Sequence, residues 1–312
     1  MAPFHCFRIP LLVALLYLIG TVSARPFASV RLRKNAAPDT STPTTNAPGL
    51  GSLLCVDFAS ALSASAMLSP IVTIIDKSVT MAAAGSSTVI AAVKSSAMGA
   101  AVNPLKFFSS PEYLCITGVY FATYACANSI ETICTRQKRS SALPKFVGTS
   151  TANIATCVAK DVVFARMFGS STAALVPKRT LALFCARDSL TVLASFIVPP
   201  QLAHAMTNLG VDAGMAFNSA QVACPVAVQL TSTPIHLLGL DFYNRTPGSV
   251  NLSDRWQASF RNYAPVASAR MIRVLPAFGI GGIGNRLLRR KGISVVERIT
   301  SSSTNIQTEY QK

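Results

Sequence analysis

Charge is what this sequence has least of. Only 13% of its 312 residues are Asp, Glu, Lys or Arg, against roughly a quarter in soluble domains. Acids are scarcer still, 12 against 28 Lys and Arg, a formal surplus of +16. A soluble chain of this length needs more polar surface to cover its cores. Histidine is limited to His5, His204 and His236, none beside a cysteine at ligand spacing. That excludes a metal site of the usual kind and leaves little general-base chemistry. No GxSxG, HExxH, phosphate-binding loop or Cys/His pair occurs, so neither an enzyme constellation nor a cofactor is expected. The eight cysteines are scattered singly without a CxxC pair, and they read as reduced, small apolar residues. The basic residues fall between apolar runs rather than on one face, which argues against a nucleic-acid partner.

What is present is apolar: 50% of residues are hydrophobic, too many for a disordered chain. After residue 50 the apolar stretches are 53–75, 111–134, 149–168, 180–198, 213–242 and 265–288. Most have about the 20 residues needed to cross ~30 Å of hydrocarbon as a helix. They are rich in Ala, Ser, Thr and Gly, as in Ala59-Ser-Ala-Leu-Ser-Ala-Ser-Ala66, a mix suited to helices packed closely on one another. The fold expected is therefore all-α, an integral membrane bundle of about six spanning helices over residues 51–290. Segment 86–101 reads as a short interfacial helix, and 244–261, with Trp256, as a loop plus a surface amphipathic helix.

The two ends read differently. Residues 1–50 form a targeting leader: Arg8, an apolar run from Leu11 to Ile19, and small residues Val22-Ser23-Ala24, as in a signal peptide. A basic, hydroxyl-rich segment with one acid, Asp39, follows, as in an organelle transit peptide. A plastid-type bipartite leader, a mitochondrial presequence and an uncleaved signal anchor all fit, so the expected location is a multi-pass position in a mitochondrial inner membrane or plastid envelope. Residues 291–312 read as a disordered polar tail. Arg286, Arg289, Arg290 and Lys291 just before it suit contact with anionic lipids.

An internal repeat is legible at Pro70, Ala159 and Pro234, spaced by about 90 and 75 residues with one further span between each. Six spans in three helix pairs, with prolines ending odd helices, resemble the mitochondrial carrier family, whose signature is Pro-x-Asp/Glu-x-x-Lys/Arg. Here Pro70 and Pro234 match the proline, the helix-kinking element, and Ala159 replaces it. Asp161 alone matches the acid, with Val72 and His236 at the other two places. Ile75, Phe164 and Gly239 stand where the base belongs. The resemblance implies the carrier-like fold from Gly51 to about Arg290, but not the carrier gate.

Charges inside spans must face a partner or a cavity. Asp161, Asp188 and Glu131 are candidates for structural ion pairs or a gate, with Asp161 pairing Arg187 and Asp188 pairing Arg166 across two helices. Arg166, Arg187 and Arg270 are candidate contacts for a small anionic solute. Asp241, Arg270 and Arg273 have a plainer explanation, spans that end short of them. Gly279-Ile-Gly281-Gly282-Ile-Gly284 spells a dinucleotide fingerprint, but Pro276 breaks the strand it requires. Close approach of helices explains it better. The functional expectation is transport of a small anionic metabolite. The alternative is a non-transporting membrane organiser or receptor that keeps the fold.

Overall fold

The computed structural model describes residues 48–171, 176–245 and 250–310. The leader expected over residues 1–50 lies outside them except for its last three residues. Regular structure among the described residues is entirely helical. In chain order the helices are α1 (Leu50–Ala83), α2 (Val89–Val102), α3 (Pro104–Phe108), α4 (Pro111–Arg136), α5 (Ala142–Phe168) and α6 (Lys178–Phe196). There follow α7 (Val198–Asn208), α8 (Ala213–Asn244), α9 (Leu252–Arg261), α10 (Tyr263–Pro276), a π-helical segment (Ala277–Ile283) and α11 (Gly284–Tyr310).

Each apolar stretch of the sequence becomes a long helix. Among the described residues four helical runs are long and apolar enough to cross a membrane: α1, α6 with α7, α8, and Tyr263–Ser302. Helices α4 and α5, at 26 and 27 residues, would each reach about 40 Å but are less apolar than those four. The molecule is thus a membrane helical bundle. Two details differ from the sequence expectation. The last apolar stretch is interrupted by the π-helical turn after Pro276, and residues 291–310, expected as a disordered tail, continue α11 as helix.

The six long stretches pack in a closed circuit that follows chain order. Helix α1 packs on α4, α4 on α5, α5 on α6, α6 on α8, α8 on α10, and α10 with α11 back on α1. The hydroxyl-rich composition makes sense in this setting. Ser60, Ser65, Ser69, Ser78 and Thr80, all buried in α1, each donate to a carbonyl three or four residues back. Where water is absent, polar groups need partners within the chain. Surface helix α2 lies against α1 through Val89 and Ala92 and leaves Ile90, Met98 and Val102 exposed. On α9, Trp256 stacks on Phe260 with ring centroids 5.7 Å apart.

Prolines sit inside α1 (Pro70) and α8 (Pro234). Each removes the amide that would serve the carbonyl four residues back. Those carbonyls find tyrosines instead: Tyr113 donates to Ala66 at 3.2 Å and Tyr263 to Leu230 at 2.9 Å. Both tyrosines stand at the start of the next long helix, third in α4 and first in α10. The repeat read from the prolines therefore extends to their partners.

The far ends of α1, α5 and α8 meet. The Asn244 side chain donates to the Ala83 carbonyl at 3.4 Å and accepts from the Ser170 amide at 3.0 Å. Asn262 donates to Ala82 at 3.3 Å. One asparagine thus joins the C-terminal ends of three helices.

Candidate functional site

About two turns in from that junction lies a layer of buried charge. Asp76, Asp161 and His236 stand seven or eight residues before the ends of α1, α5 and α8, roughly 10–12 Å along each axis. The layer is a continuous chain of alternating sign. Arg273 of α10 donates to both oxygens of Asp76 at 2.7 Å. Lys160 of α5 joins Asp76 at 2.7 Å to Asp161 at 2.6 Å. Arg187 of α6 donates to Asp161 at 2.6 Å, and to Asp188 at 3.0 Å through Nε and 2.5 Å through Nη2. The Nη1 of Arg187 donates to Nδ1 of His236 at 2.9 Å. A guanidinium only donates, so Nδ1 is the acceptor and the imidazole is neutral with its proton on Nε2.

The chain of charge ends unevenly. Arg270, one turn before Arg273 and only 3% exposed, meets neutral groups: Gln229 Oε1 at 2.9 Å and Ser232 Oγ at 3.4 Å, both on α8. Among the described residues its Nε has no partner, and neither has Oδ2 of Asp188. Four cations, Lys160, Arg187, Arg270 and Arg273, thus face three carboxylates, Asp76, Asp161 and Asp188. A buried cation lacking its counter-charge is costly in a low-dielectric interior.

A second buried cluster lies near the other end of α1, nineteen residues earlier, about 28 Å along the helix. Asp57, fully buried, accepts from Arg289 Nε at 2.5 Å and from Thr132 Oγ1 at 2.5 Å. Arg289 also donates to Thr132 at 2.8 Å and lies 3.3 Å from Glu131, which pairs with Lys145. Asn128 and Asn285 exchange amide hydrogen bonds at 3.0 Å. Two acids here face two bases, and the charged atoms are matched.

Asp161 and Arg187 meet. Asp188 takes Arg187 rather than Arg166, which is exposed on α5. Arg270 is buried in the layer, and Arg273 is held by Asp76, so neither is explained by a span ending short of it. Asp241 does lie at a helix end, paired with Arg245 and, at 2.8 Å, with Arg255. Glu131 belongs to the Asp57 cluster. Of the four cations assigned to lipid, Arg289 turns inward to Asp57, while Arg286, Arg290 and Lys291 are exposed. Within the glycine run, a Cβ at Gly281 would be driven into the Tyr124 hydroxyl and Leu68. The Tyr124 hydroxyl donates to the Ala277 carbonyl at 3.2 Å.

Asp76 stands one residue beyond the first apolar stretch, 53–75, and so escapes a search for charges inside spans. A signal was available. All three acids of the layer belong to acid–base dipeptides within apolar surroundings: Asp76-Lys77, Lys160-Asp161 and Arg187-Asp188. Gln229, which is buried and polar on α8, escapes that search too.

A protein-family model described as a probable citrulline exporter matches residues 60–293, well over half the chain and every residue of the Asp76 layer. No curated protein matches the chain. The match overturns the resemblance to mitochondrial carriers, and the packing gives the physical reason for the failed signature. Ile75 and Phe164, at two of its basic positions, are core residues of two apolar clusters. At the third, Gly239, a Cβ would stand 2.9 Å from the Phe184 ring, so no longer side chain fits. Val72, at one acid position, packs with Leu68, Ile116 and Phe164.

Proposed function

The chain belongs to the probable citrulline exporter family, and on that premise we propose that it moves citrulline or a close chemical relative across its membrane, through the charged layer. The observation that carries the reading is Arg270. It is a buried cation inside a membrane bundle, met among the described residues by Gln229 and Ser232, and a carboxylate arriving there would supply the missing counter-charge. The solute then needs a carboxylate rather than a net negative charge, which narrows the anionic metabolite expected from composition. Neutral hydrogen-bonding groups, which a ureido side chain would need, are at hand in Gln229, Ser232 and the neutral ring of His236.

The experiment is reconstitution of the full chain in liposomes loaded with labelled citrulline. Saturable efflux, absent from protein-free liposomes and reduced about tenfold by Arg270→Gln, is the expected result. Folded protein that moves neither citrulline nor any of a panel of amino acids and small carboxylates would sink the reading and favour a membrane organiser. The composition of the leader supports an organelle envelope as the membrane. A fluorescent fusion made with and without residues 1–47 tests that, and uniform targeting of both would refute it. Exposed Arg286, Arg290 and Lys291 support contact with anionic lipid at one face.

A further inference from the structure

We infer that the layer reads the head group of a free α-amino acid, taking the carboxylate on Arg270 and the ammonium on Oδ2 of Asp188. The inference rests on the proposed passage of solute through this layer and adds two binding residues to it. Among the described residues, eight buried side-chain polar atoms lack a partner. Six are hydroxyls. The other two are Nε of Arg270 and Oδ2 of Asp188, of opposite sign and both on groups that water or a partner would ordinarily satisfy.

The two belong to one surface. Arg270 meets α8 at Gln229 and Ser232. Asp188 is held by Arg187, which meets α8 at His236. Residues 232 and 236 lie one above the other on consecutive turns of the helix. Arg270 and the Arg187 that holds Asp188 therefore meet the same face of α8, one turn apart.

The charges fit a zwitterion better than other small solutes. Oδ1 of Asp188 is committed to Arg187, through Nε at 3.0 Å and Nη2 at 2.5 Å, and leaves Oδ2 free to accept. Arg270 has spent Nη2 on neutral acceptors and keeps Nε free to donate. A free amino acid carries one carboxylate and one ammonium on a single carbon, and offers a charge of the opposite sign to each of the two atoms. An amine lacking the carboxylate would leave Arg270 stranded. A dicarboxylate would set its second charge against Asp188.

The test uses the purified full chain, with melting temperature to report binding and liposome efflux to report transport. The probes are citrulline, N-acetylcitrulline, which lacks the ammonium, and the decarboxylated ureido-amine, which lacks the carboxylate. Citrulline should raise the melting temperature and compete for efflux, and each analogue should do so at least about tenfold less well. Arg270→Gln should abolish the discrimination against the decarboxylated probe, and Asp188→Asn that against the acetylated one. Should Asp188→Asn fail to fold, the ranking of probes on the native chain still decides. Efflux of citrulline with all three probes competing equally overturns the head-group assignment and leaves the exporter reading standing. A selective citrulline shift without efflux does the reverse. Neither shift nor efflux from folded protein overturns both.

Discussion

Two clusters of buried charge lie on α1 about 28 Å apart, and they differ in how completely they are matched. Around Asp57 both carboxylate oxygens are taken, Asn128 and Asn285 satisfy each other, and acids equal bases. Around Asp76 the acids are fewer than the bases, and one donor and one acceptor are left over. Both clusters bear the desolvation cost of charge in a membrane interior. The first recovers it within the protein, as a staple joining α1, α4 and α11. The second leaves part of it open, which suits a place where something else binds.

That contrast can be broken most severely at Asp57. Replacing it by Ala leaves Arg289 with only the longer approach to Glu131, and the expected loss is about 3 kcal/mol of stability, read as a lower melting temperature and a lower yield in detergent. Adding Arg289→Met should recover part of it; equal melting of the single and double variants would remove the staple. Next in size is the effect of charge removal at matched and unmatched cations. Arg289→Gln should lower the melting temperature, whereas Arg270→Gln should leave it unchanged or raise it while efflux falls. If both variants melt alike, the distinction between the clusters does not hold. Tyr113→Phe and Tyr263→Phe each leave a carbonyl unserved and should cost about 1–3 kcal/mol in thermal unfolding. The smallest effect belongs to Glu131→Gln. Its pair with Lys145 is largely open, with side chains 36% and 40% exposed, and the change should stay within about 1 kcal/mol.

An all-helical membrane bundle was legible in the sequence, because apolar stretches of about spanning length separated by polar loops leave few other arrangements; among the described residues four helical runs, rather than six, are long and apolar enough to cross a membrane. Pro70 and Pro234 were found as equivalents for a sound reason, and the tyrosines behind them now give that equivalence a physical basis. The family was misread because spacing of prolines was weighed above the residues that follow them. Ile75, Phe164 and Gly239 are packing positions here, and a sequence does not say which side of a helix a neighbour will occupy. Partners across the bundle were out of reach for the same reason. Asp161 with Arg187 could be guessed from two charges in adjacent spans. Asp57 with Arg289 joins residues 232 positions apart, and Arg273 with Asp76 joins residues 197 apart, so nothing local connects them. The polar tail was read from composition alone, yet residues 291–310 continue a helix whose earlier turns are held by Asn285 and Arg289.

The proline–tyrosine pairs bear on the order in which such a chain could assemble. A lone α1 in lipid would expose the Ala66 carbonyl with no donor, and a lone α8 the Leu230 carbonyl, each an expense of several kcal/mol in hydrocarbon. Tyr113 and Tyr263 arrive only with the helix that follows. The first and third hairpins are therefore more stable than the sum of their halves, and each pair of helices favours entering the bilayer together over entering singly. The middle pair, α5 and α6, has Ala159 where the others have proline and carries no such requirement. It is bound instead by Asp161 and Arg187, a link made after both helices are in place.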